Sequence, residues 1–158
     1  MNTTETLTQE MKVKAEREHD LTIKLFQASQ MGRETLEHVN DNMSGGELKQ
    51  AVEKDILDYS DICNQLTRKL DAKGQEPKSV GKIPRMMSSM MINMKINDET
   101  PECEIAKMVI DGTTKGVTET TSMLSEYSDV NDDIKNIGYK LLWVEQKNID
   151  EMRRFLHN

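Results

Sequence analysis

The stretch SGGELKQAVEKDILDYSDICNQLTRKLDAKGQEP, residues 44–77, decides how this chain folds. Within it Val52, Ile56, Tyr59, Cys63, Leu66 and Leu70 recur at alternating steps of four and three, the spacing that lines side chains along one face of an α-helix. No proline or glycine interrupts the run from Glu47 to Ala72. Ser44 with Glu47 matches a capping box, Gly45 and Gly46 end whatever helix precedes, and Gly74 and Pro77 close this one. The stretch therefore predicts a tight helical hairpin turn and then a helix of about seven turns with a single apolar seam. A helix apolar on one stripe needs other helices to cover it.

Those helices are legible on either side. A first runs from about Leu7 to Met43, with Leu21, Leu25, Ala28, Gly32, Leu36, Val39 and Met43 facing inward. Residues 1–8 form a polar tail, and the part through Arg17 is polar enough to overhang the bundle or fray. A third helix opens where Thr100 caps, Pro101 takes the first helical position, and Glu102 and Glu104 suit the positive end of the helix dipole. Its inward line is Ile105, Val109, Gly112, Gly116, Met123 and Tyr127. A fourth begins near Ser128-Asp129, buries Ile134, Ile137, Leu141, Val144, Met152 and Phe155, and ends with Arg153 and Arg154 at its negative pole. The fold class is all-α, one four-helix-bundle domain over residues 1–158.

Length sets the topology. Helices two to four are each roughly 40 Å long at about 1.5 Å per residue. An antiparallel step from helix two to helix three needs only a few residues, yet residues 73–100 lie between them. Within that connection Ile83 to Met94 reads as a short methionine-rich amphipathic helix with Pro84 in its first turn. Such a helix plus extended chain spans the whole bundle, which makes helix three parallel to helix two, a single-crossover pattern. The alternative is an up-down bundle whose extra helix covers one end.

Lys82 to Ile96, Ile105 to Gly116 and Leu141 to Met152 resemble a group of uncharacterised bacterial ferritin-like bundle proteins. The resemblance implies ferritin-like connectivity and a cytosolic setting, and no activity.

Composition narrows the function. The formal net charge is −7, which disfavours nucleic acid, whose phosphates repel such a surface. No apolar run approaches the length of a membrane span, and the first residues carry no signal-peptide core. These features read as soluble and cytoplasmic. Cys63 and Cys103 are too few for a disulfide framework and lack metal-ligand spacing. Among 158 residues stand 12 methionines, which fill helical cores adaptably.

No catalytic motif emerges. A di-iron or di-manganese carboxylate site needs glutamates from two helices and Glu-x-x-His from two more. Counting from the hairpin turns puts Asp55, Asp111 and Glu145 near one level, with Glu34 turned away from the core. The histidine positions of that pattern hold Asp58 and Asn148, while His19, His38 and His157 lie near helix ends or on polar faces. The plain reading is solvated helical carboxylates and no metal. Met86, Met87, Met90, Met91 and Met94 have thioethers at a spacing that suits Cu(I). They read instead as one broad apolar face that packs on the bundle or on a partner. Cys103 at a helix N-terminus is offset by Glu102 and Glu104, and Cys63 reads as an inert core thiol. The small residues Ala28 and Gly32, and Gly112 and Gly116, imply close helix approach, or else a ligand in the space their missing side chains leave. The expected function is a non-catalytic bundle acting through protein contacts, as a homo-oligomer or with another protein. The alternative is a divergent ferritin-like protein binding metal through carboxylates.

Overall fold

The apolar stripes assemble into four helices in the computed structural model, which describes residues 2–74 and 95–157. α1 spans Thr3–Asp41, α2 Glu47–Ala72, α3 Glu102–Glu126 and α4 Asp132–Arg153, and no strand occurs among the described residues. None of these helices is long and apolar enough to cross a membrane.

The polar chain start is helical rather than a tail. The Asn2 side chain accepts from the Thr4 amide while Glu5 reaches back to the Asn2 backbone, a capping box. Residues 2–16 are nonetheless exposed on every face, so this part overhangs the bundle. Packing starts at Arg17, whose guanidinium donates to both Asp129 oxygens, at 2.9 and 2.7 Å, and to the Glu126 carbonyl at 2.9 Å.

Three helix starts differ from the sequence expectation, each for a local reason. Ser44 forms no cap; Gly46 stands before α2 with φ 104°, a conformation glycine adopts without strain, and no side chain caps that end. Thr100 turns back and accepts from the Asn97 amide at 3.0 Å, leaving Pro101 before the first helical residue. α4 starts at Asp132 instead of near Ser128-Asp129, because the Asn131 side chain accepts from the Asp133 amide at 2.8 Å. The α2 bounds and the α4 core line, Ile134, Ile137, Leu141, Val144, Met152 and Phe155, are as the periodicity gives them.

Cross-helix pairs give the directions. Lys49 reaches Asn40 and Cys63 reaches Ser29, so α1 and α2 are antiparallel. Lys147 with Asp58, Lys140 with Gln65 and Lys69 with Asp133 run α2 against α4. Thr113 with Asn148 and Thr120 with Glu145 run α3 against α4. Hence α2 and α3 point the same way. The methionine-rich segment with Met86, Met87, Met90, Met91 and Met94 lies outside the described residues. α1 packs on α2 and α3, and α4 packs on both of those from the other side. The deepest core includes Leu21, Leu25, Leu66, Leu70, Ile134 and Leu141.

Candidate ligand cavity at mid-bundle

Halfway along the bundle the leucines give out. At this level α1 offers Ala28, Gly32 and Thr35, α2 Asp55 and Tyr59, α3 Gly112, Gly116 and Thr120, and α4 Glu145 and Asn148. Gly32 and Gly116 each make room for a large neighbour. A side chain at Gly32 would drive into the Tyr59 ring, 2.7 Å from Cζ and 2.9 Å from Cδ1. One at Gly116 would collide with Oε2 of Glu145. Gly116 thus admits a carboxyl group and not the backbone of a neighbouring helix, which corrects the expectation of close helix approach there.

The space is not fully taken up. Among the described residues a cavity of about 230 Å³ remains, bordered by Ala28, Gly32, Gly112 and Gly116 together with Tyr59 and Glu145. Met31, Leu36 and Val109 supply apolar wall, while Lys115 and Glu119 stand at its exposed side on α3. Thr35 also lines it, 8% exposed, with a buried hydroxyl that has no hydrogen-bond partner among the described residues.

Two of the carboxylates expected on solvated faces are inside. Glu145 is 3% exposed, and its Oε1 accepts from the Thr120 hydroxyl at 2.6 Å. Burial pushes its carboxyl up to about 7 against that hydrogen bond, and the charge of Glu119 raises it further. Asp55 is wholly buried; its Oδ2 accepts from the Asn148 side chain at 2.6 Å, and the Asn148 oxygen accepts from Thr113 at 2.8 Å. Its other oxygen is buried without a donor, as is Oε2 of Glu151. Burial lifts Asp55 to about 7; the Asn148 bond opposes this, and Glu151 beside it adds to the rise. The Tyr59 phenol is likewise held well above its usual range, first by burial and then by the charges of Glu145 and Asp55.

The other candidates fall elsewhere. Asp111 is exposed and separate from Asp55 and Glu145. Glu34 accepts from Gln30 at 3.1 Å, and Asp58 from Lys147 at 2.8 Å. His157 is exposed; His19 and His38 are half-buried, and neither lines the cavity. Cys63 donates to the Ser29 hydroxyl at 3.3 Å, and burial raises its thiol; Cys103 is half-buried in the first turn of α3. No group of three or more His, Cys, Asp or Glu able to hold a metal ion occurs among the described residues.

Sequence reasoning missed Thr35 and Thr120. Thr120 lies four residues beyond Gly116, on the inward line that jumped from Gly116 to Met123, and that step was the available signal. Asp55 sits three residues after Val52 and is buried where Ile56, assigned to the seam, is only half-buried.

Fold and cavity together define a four-helix bundle with a hollow, polar middle level. Compared with known proteins, the chain matches no family model, no curated protein and no solved structure.

Proposed function

We propose that this chain is a non-catalytic binding protein, a bundle of ferritin-like connectivity that holds a small ligand in its mid-level cavity. The observation that carries the reading is a space bordered by glycines and lined by the Thr35 hydroxyl, which has no partner among the described residues. Each helical glycine costs about 1 kcal/mol against alanine. A bound molecule restores both the contacts and the partner that the Thr35 hydroxyl lacks. Binding suits the lining better than catalysis does, since neither cysteine and none of the histidines takes part in it. The resemblance to bacterial ferritin-like bundles supports the connectivity and a cytoplasmic setting.

Thermal melting of the full chain with ring-sized compounds, charged and uncharged, tests this. At least one should raise the melting temperature in proportion to the logarithm of its concentration. A panel that leaves the melt unmoved would reject the cavity as a binding site.

A second reading, assembly through protein contacts, is favoured by Leu57, Tyr139 and Trp143, which are exposed on α2 and α4. Sedimentation velocity separates it from the first, because a persistent monomer removes a homo-oligomer. The metal-binding alternative retains Asp55 and Glu145 as interior carboxylates. Iron or manganese retained through purification, and lost in Glu145→Ala, would promote it.

A further inference from the structure

The charge inside the cavity narrows what it takes, given the reading of it as a binding site. Glu145 has one oxygen engaged by Thr120, while Oε2 is aimed at the gap above Gly116 and receives no hydrogen bond from the described residues. No lysine or arginine among them forms an ion pair with it. An interior carboxylate without a cation is costly, and a charge-assisted hydrogen bond is its strongest remedy. The other groups around it do not supply one. From α3 come Glu119 and Lys115, opposite charges that are both exposed at the rim, and no ion pair joins Lys115 to Glu145 among the described residues; from α2 comes the Tyr59 phenol, with Asp55 behind it. The α1 residues that line the cavity are small or apolar apart from Thr35, whose hydroxyl has no partner among the described residues; Arg33 and Glu34 of the same stretch are not among the lining. An anion entering here meets the interior carboxylate of Glu145. A neutral donor gives Oε2 a hydrogen bond but leaves its charge unbalanced, and the charge-assisted bond is the stronger.

We infer that the ligand is a small organic monocation: an amine whose ammonium group donates to Glu145 Oε2 and to the Thr35 hydroxyl, with an apolar body against Met31, Leu36 and Val109. The size agrees, since a cavity of about 150 Å³ holds benzene and this one has room for a ring with a short ammonium arm. Tyr59 favours the same charge, because an aromatic ring attracts cations to its face.

Calorimetric titration of the full chain at pH 8 with benzylamine, benzyl alcohol and benzoate provides the test. These probes share a ring and differ in charge. Benzylamine should bind at least about tenfold more tightly than benzyl alcohol, with no measurable heat from benzoate. Glu145→Gln should remove that preference, bringing benzylamine down to the affinity of benzyl alcohol. If the variant does not fold, the wild type at pH 5.5 serves the same purpose. A proton then competes for Glu145, and benzylamine alone should weaken by about tenfold. Benzyl alcohol binding as tightly as benzylamine, or an amine preference unmoved by both pH and Glu145→Gln, would overturn the cation while leaving the cavity intact. Silence from all three probes would reject cavity and cation together.

Discussion

Gly138 on α4 and Gly116 on α3 are both interior glycines of the same bundle, and they serve opposite ends. A side chain at Gly138 would meet Leu124 Cδ2 at 2.6 Å and Leu25 at 3.4 Å, so two leucines occupy the room that the glycine gives up. At Gly116 the room goes to the carboxyl of Glu145, and beside it a cavity stays open. A helical glycine is therefore no sign of a void, nor of close packing; the neighbour that moves in decides. One level of this bundle is built for stability, and the middle level gives stability up.

The largest contrast should appear on removing volume. Leu66→Ala, in the fully buried apolar level, should lower unfolding free energy by about 2–5 kcal/mol in urea titrations. A loss below 1 kcal/mol would mean that the leucine level is no better packed than the middle one.

The pH dependence should come next. Asp55 and Glu145 have folded values near 7, above the ordinary carboxylate range. Their ionised forms are penalised only in the folded chain. The penalty is absent below about pH 4, grows as pH rises, and is complete above the folded value. Glu145→Gln removes its share, so the stability of that variant relative to wild type should improve by about 2–3 kcal/mol between pH 5 and pH 8. A difference independent of pH would show that Glu145 is solvated after all.

A smaller effect should tie Gly116 to its occupant. Gly116→Ala collides with Glu145, and the collision vanishes once Glu145 is shortened to alanine. A double-mutant cycle should give a coupling of about 1 kcal/mol, whereas additivity would place the carboxyl elsewhere. Least of all, Trp143→Ser should change stability by no more than about 0.5 kcal/mol, since the ring is 61% exposed. A larger loss in a monomer would show that the ring is covered.

The same contrast explains what could be read from sequence. The leucine levels announce themselves through periodicity, which is why the bounds of α2 and the core line of α4 are as the sequence predicts. The direction of α3 follows from chain length, since the connection is far longer than a hairpin requires. Helix starts were less legible because Ser44, Thr100 and Ser128 are plausible caps that the chain does not use. Ala28, Gly32, Gly112 and Gly116 stood out, but whether they close or hollow the bundle depends on side chains from three other helices. Asp55 and Glu145 look like any surface acid in one dimension. Thr35 and Thr120 are equally at home inside or out, and nothing in their spacing alone chooses.

The central claim, that the middle level is a binding cavity and not merely loose packing, is met most directly by filling it. Ala28→Leu places three carbons into the gap and leaves Glu145 and Thr120, which are on other helices, unsubstituted. Its urea unfolding and its benzylamine titration should be run side by side. The account predicts stability equal to wild type or up to about 1 kcal/mol higher, with amine binding abolished. A loss of about 1–3 kcal/mol, the mark of an overpacked site, or benzylamine binding at full strength in the filled variant, would contradict it.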